Sequence, residues 1–165
     1  MKGRLFDTCI VDDLLDSTSE RHDAAVQRFS GLSEEDLALV SVITLGEIEY
    51  GIRVAPVERA EALAGFRRLV ADKFPYVLPI QEATSEPYGE LRGRLFQQYS
   101  PREARGRKRR VEQIQDPESG LAMGIQENDL WLVAQAYEHN LILVTRDKMR
   151  SLAAIASPDV QFEFW

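Results

Sequence analysis

Four carboxylates stand where apolar sequence gives way to polar sequence. Asp7 follows Leu5-Phe6, Glu47 follows Thr44-Leu45-Gly46, Asp129 precedes Leu130-Trp131, and Asp147 follows Val144-Thr145-Arg146. If these junctions meet, four negative groups share one pocket. Two unit charges about 4 Å apart repel by ~4 kcal/mol at an effective dielectric of about 20. Such a cluster must take up protons or bind cations, and hard divalent ions with oxygen ligands, magnesium or manganese, suit it. A site of that type keeps waters whose pKa falls and which can attack a phosphodiester. Singly, each acid has an ordinary explanation. Asp129 would favour a helix N-terminus, Glu47 would complete a capping box with Thr44, Asp7 would sit in a solvated turn, and Asp147 would start a helix.

The elements that must position these acids alternate. Arg4 to Asp7 reads as a first strand ending at the first acid, and Asp12 to Asp16 as a helical turn. Glu20 to Phe29 has helical spacing and stops at Gly31. Leu37 to Val40 is a short buried strand. Ser41, or Thr44 one turn later, caps a helix running to about Val54. Val57 to Lys73 is amphipathic, with Ala60, Leu63, Ala64, Leu69 and Val70 on one face. Tyr76 to Ile80 is a third strand, weakened at Pro79. Glu86 to Tyr99 is helical. Residues 101–127 read as a long polar connection with a helical piece at 103–114. Asn128 to His139 is a buried helix, Leu141 to Val144 the strongest strand, and Val160 to Phe164 a closing strand. Strands separated by helices imply a parallel α/β sheet covered on both faces. In such sheets ligands bind beyond the carboxyl ends of the strands, where Asp7 and Asp147 stand.

Composition bounds the rest. A chain of 165 residues, 44% hydrophobic, is long enough for one domain with a sizeable core. We expect a single domain over 1–165, soluble and cytoplasmic, with no ordinary signal peptide, because acids interrupt the apolar N-terminal stretch. No apolar run reaches membrane-spanning length. One cysteine, Cys9, and two histidines, His22 and His139, exclude an internal disulfide and Cys- or His-rich zinc centres, so a metal must be held mainly by oxygen. The net charge is −7, yet residues 101–110 carry six basic residues and one acid, leaving −12 for the remainder. The global field does not steer the chain to nucleic acid. The local basic segment, through Arg107, Lys108, Arg109 and Arg110, reads either as a solvated loop or helix end or, joined by Arg146, as an RNA contact. No GxGxxG or GxxxxGK[ST] loop occurs. His139, at a helix C-terminus, suits the helix dipole better than catalysis.

Phe6-Asp7-Thr8, Ser41 through Gly51, Asn128 through Ala134 and Leu143 through Asp147 together resemble the PIN-domain ribonucleases, with the VapC toxins of bacterial toxin–antitoxin pairs the nearest match. The blocks agree in order and spacing over about residues 3–165. The family usually has Asn after Asp-Thr, where this chain has Cys9, a change that removes no metal ligand. The resemblance implies a PIN-like three-layer α/β/α sandwich with a central parallel sheet. It implies that Asp7, Glu47, Asp129 and Asp147 bind one or two magnesium or manganese ions. The metal would activate water for in-line attack on RNA, leaving a 3′-hydroxyl and a 5′-phosphate. Thr8, Thr145 and Asn128 would orient the carboxylates. The partners implied are a second copy of the chain and a VapB-type antitoxin. The antitoxin's tail would lie in a groove along the early helices, with Leu14, Leu15, Ile48 and Ile52 as its expected lining.

Two functions follow from different classes. One is a metal-dependent endoribonuclease acting as a toxin. The other is a degenerate PIN domain that binds RNA or protein without cutting. The presence of all four acids favours the nuclease. A phosphatase with a nucleophilic Asp7 is weaker, because Cys9 stands where its second aspartate belongs.

Overall fold

The computed structural model describes residues 2–33, 35–99, 110–115, 119–147 and 149–165. Among them are five strands and seven α-helices. The strands are β1 (Lys2–Phe6), β2 (Asp36–Ser41), β3 (Tyr76–Leu78), β4 (Ile142–Thr145) and β5 (Gln161–Phe164). The helices are α1 (Thr8–Leu15), α2 (His22–Ser30), α3 (Val42–Val54), α4 (Val57–Lys73), α5 (Ser85–Tyr99), α6 (Glu127–Glu138) and α7 (Arg150–Ala156). All strand pairs are parallel, in the order β3-β2-β1-β4-β5. The chain moves outward from β1 through β2 to β3, then returns to the other side of β1 for β4. The carboxyl ends of β1 and β4 therefore flank the point where the winding direction reverses, which is where an open parallel sheet offers a crevice.

The side-chain period of two sorts each strand onto two cores. Phe6, Val40 and Val144 face one layer, where α1 to α4 contribute Ile10, Val11, Leu14, Ala25, Ile48 and Val70. Leu5, Leu39 and Leu143 face the other, against Leu91 and Leu95 of α5, Leu130 and Val133 of α6, and Leu152 of α7. The result is the three-layer α/β/α sandwich with a central parallel sheet. Phe6 anchors the first layer, its ring 5.4–5.5 Å from those of Phe29, Phe74 and Trp165. Aromatic pairs at such separations add about 0.5–1.5 kcal/mol beyond the area they bury.

Buried polar groups tie element ends together. Gln135 of α6 is fully buried. Its Oε1 accepts from Ser41 Oγ at 2.5 Å, and its Nε2 donates to the carbonyls of Leu78 and Pro79. That one amide fixes α6 against the carboxyl ends of β2 and β3.

Several local expectations change. Helix α1 begins at Thr8, directly after the first acid, because the Asp7 side chain caps it. Ser41, not Thr44, caps α3, its Oγ accepting from Ile43 N at 3.0 Å. Strand β3 stops before Pro79, which has no N–H for the ladder. The short helix α7 begins at Arg150, three residues after Asp147, where the sequence allows a helix to start. Of the expected helical piece at 103–114, the described part is a 3₁₀ turn at Val111–Gln113; residues 101–109 lie outside the described residues. The side chains of Ala60, Leu63, Ala64 and Leu69 also lie outside them.

Candidate metal centre

Asp7 is held from every side. Its backbone N–H donates to the carbonyl of Val144 at 3.0 Å, so the residue rides on the β1–β4 seam. One carboxylate oxygen, Oδ1, accepts from Thr8 N at 2.7 Å and caps α1. The other, Oδ2, accepts from Thr145 Oγ1 at 2.7 Å and from the Cys9 thiol at 3.2 Å. Burial pushes its pKa up, these hydrogen bonds oppose the rise, and the charge of Asp147 adds to it.

Thr145 ends β4 and is fully buried. Its Oγ1 also accepts from Asp147 N at 3.1 Å. This local bond curls the chain so that the exposed Asp147 turns back over Asp7. Ligand atoms of Asp7, Asp147 and Cys9 lie within 4.8 Å of one another.

Glu47 and Asp129 approach from the two helical layers. Glu47 Oε1 accepts from Asn128 Nδ2 at 2.8 Å, and its Oε2 accepts from Thr8 Oγ1. One carboxylate thus joins α1, α3 and α6. Glu47 forms no capping box with Thr44. Thr44 is fully buried, and its Oγ1 has no hydrogen-bond partner among the described residues. Asp129 lies in the first turn of α6 and accepts from Gln126 N at 2.8 Å. Burial pushes its pKa up to about 6, and the charges of Asp7, Asp147 and Glu47 push in the same direction. The N-terminal role and the membership of an acidic cluster are thus both met by one side chain.

The donor set suits a hard divalent ion. Asp7 and Asp147 supply two carboxylates within reach of a single cation, and Asp129 lies outside that group but near enough for their charges to raise its pKa. Burial, with Asp7 beside it, pushes the Cys9 thiol up to about 12. In this state the thiol serves as a donor to Asp7. Glu47 is also outside that group and is tethered through Thr8 and Asn128. A cleft of about 380 Å³ opens beside Asp129 and Asp147.

The expected RNA contacts fare differently. Arg107, Lys108 and Arg109 lie outside the described residues. Arg110 is exposed and precedes the 3₁₀ turn. Arg146 forms an ion pair with Asp13 of α1, its Nη1 2.6 Å from both carboxylate oxygens. Of the expected groove residues, Leu14 is core, at 2% exposure. Leu15 and Ile48 line a groove of about 830 Å³, and Ile52 lines a separate shallow depression. Sequence reasoning missed Asp13. Once α1 starts at Thr8, Asp13 falls three residues after Ile10 and beside Leu14 on the buried face, so the early start was the signal. It also missed the thiol bond to Asp7 and the placement of Arg150 on the cleft.

The PIN domain family profile matches residues 4–156. A search of curated proteins by sequence returns no match. Among solved structures, VapBC2 from Rickettsia felis, bound to a promoter DNA fragment, is similar with a TM-score of 0.71 at 20% identity, covering 99% of this chain and 98% of that one. VapBC-1 from nontypeable Haemophilus influenzae gives 0.69 at 22% identity, over 99% and 98%. FitAcB from Neisseria gonorrhoeae gives 0.67 at 22% identity, over 98% and 96%. At these identities the likeness speaks for the fold.

Proposed function

The chain belongs to the PIN domain family, and from that membership we propose that it is a metal-dependent endoribonuclease, the toxin of a type II toxin–antitoxin pair. The observation that supports this reading most is the approach of Asp7 and Asp147, from the carboxyl ends of two adjacent strands, to within one ion's reach, with Asp129 in their field. Magnesium or manganese is the ion of choice for such oxygen donors.

Asp7, Asp129 and Asp147 would hold the ion, and Glu47 would complete the site from α3. When bound, the ion lowers the pKa of water and offsets charge building on the phosphodiester. Thr145 fixes the Asp7 carboxylate and the Asp147 backbone together. Thr8 and Asn128 hold Glu47 by one oxygen each, which fixes the orientation of its carboxylate. The half-buried Cys9 thiol donates to Asp7.

The protein partner would be a VapB-type antitoxin, as in the VapBC structures with this fold. The groove beside Glu47 suits a cationic, amphipathic tail. Leu15, Ile48 and Phe66 offer apolar surface, and Asp12, Asp16 and Glu47 offer negative charge. A homodimer and a cytoplasmic setting, where RNA is available, belong to the same reading. Among the described residues no helix is long and apolar enough to cross a membrane.

Incubation with a structured RNA tests the activity. We expect cleavage with magnesium or manganese, products bearing 5′-phosphates, and no cleavage in a chelator. Cleavage that persists in the chelator would refute the metal mechanism. No cleavage with either ion would favour the non-cutting alternative.

A further inference from the structure

We infer that the cleft beside Asp129 and Asp147 is the subsite for one nucleotide of a single-stranded RNA, with Arg150 holding its phosphate. The inference rests on the nuclease reading above. The cleft measures about 380 Å³, within the lower range of small-ligand sites. One side carries the two carboxylates. Met123, Ile125 and Met149 give its lining apolar, adaptable surface, and Gln126 and Ser151 give it polar groups. Arg150 stands on the same cleft, at the start of α7.

Arg150 differs from the arginines around it. Arg146 is neutralised by Asp13, Arg94 by Glu90 and Asp159, and Arg92 by Glu127. Arg150 is exposed and makes no ion pair among the described residues. An uncompensated guanidinium beside an acidic cluster has a use when a polyanion lies between them. The planar fork can hold a phosphate bidentately, next to the acids that would hold a cation. The methionines accept a base or ribose by shape, beside the polar side chains of Gln126 and Ser151. The occupant is a nucleotide of single-stranded RNA, whose unstacked base is free to enter such a cleft.

Binding of a short labelled single-stranded RNA, measured by anisotropy in calcium over a salt series, tests this. Arg150→Ala should weaken binding about tenfold and make the log–log salt slope shallower by about 0.7, the value for one lost phosphate contact on a single strand. Arg150→Lys should recover the slope and only part of the affinity, since an ammonium supplies charge without the fork. Arg68→Ala removes the same charge from α4, on the other face of the sheet, and should change neither. The manganese-induced rise in melting temperature should be intact in Arg150→Ala, showing that the fold and the acids are undisturbed. If wild type binds RNA and Arg150→Ala matches it in affinity and slope, the cleft assignment is wrong while the nuclease reading stands. If wild type binds no RNA at low salt, both fall together.

Discussion

The Cys9 thiol donates to Asp7 Oδ2 at 3.2 Å and lies 3.6 Å from the Thr145 hydroxyl. A cysteine thus does at Asp7 what a side-chain amide would do in its place: it offers a hydrogen to the carboxylate from the first turn of α1. Removing that donor raises the Asp7 proton affinity further and loosens its aim. Cys9→Ala should weaken manganese binding about tenfold, the lower end for loss of an outer partner to a ligand. Cys9→Asn should restore it. Calorimetric titration with manganese reads both, and equal affinity in Cys9→Ala would remove the thiol from the account. Because its pKa is pushed up to about 12, the thiol should also resist alkylation at neutral pH until the protein is unfolded.

Thr145 carries a second, stronger tether. Its hydroxyl donates to Asp7 and accepts from the Asp147 backbone. Thr145→Val keeps the shape and loses both bonds. We expect cleavage to fall by about 10–100-fold while the unfolding midpoint shifts little. Unaltered turnover would mean that the carboxylates hold their positions without it.

Asp129 links the site to pH. Its folded-state pKa of about 6 lies above the ordinary 3.8, so the metal-free fold binds more protons than the unfolded chain between those values. Its contribution favours folding below that window and is lost as pH rises through about 6. A divalent ion competes with the same proton. The manganese-induced rise in melting temperature should therefore be small at about pH 5 and full above about pH 7. A rise independent of pH would contradict the placement of Asp129 beside the ion.

Asp13 and Arg146 form a pair whose acid is almost wholly buried, with side-chain exposures of 6% and 30%. Ser19 Oγ donates to the same carboxylate at 3.0 Å. Breaking a fully buried pair costs about 3–5 kcal/mol. Arg146 is partly solvated, so Arg146→Ala should cost about 2 kcal/mol in urea unfolding. RNA affinity should change less than it does for Arg150→Ala. A stability unchanged by Arg146→Ala, with a large loss of RNA binding, would return Arg146 to the RNA contact expected from its position in the sequence.

The fold was legible because apolar runs such as Leu141 to Val144 and helical stripes such as Tyr88, Leu91 and Leu95 state their periods openly. The order of strands and helices was enough to imply a parallel sheet, and so to look for acids at strand ends. Boundaries were less legible where a side chain decides them. Capped by Asp7, α1 starts at Thr8, four residues before the helical turn expected at Asp12, because one carboxylate caps a helix and ends a strand at once. The proximity of Asp7 and Asp147 could be guessed from the junctions, but the bonds that enforce it depend on Thr145 and Cys9, whose roles exist only after β1 and β4 pair. The charge of Arg146 was visible and its burial partner was not, since Asp13 lies far away in the chain and meets it only across the folded crevice. Arg150 carried no pattern; only the cleft singles it out.

The central claim is that Asp7 and Asp129, remote in sequence, act on one ion that drives RNA cleavage. The most direct measurement is the magnesium-dependent cleavage of a structured RNA by wild type, Asp7→Asn and Asp129→Asn, with circular dichroism confirming that each variant is folded. The account predicts that wild type cuts and that both folded variants are inactive. Cleavage at the wild-type rate by both variants would contradict it.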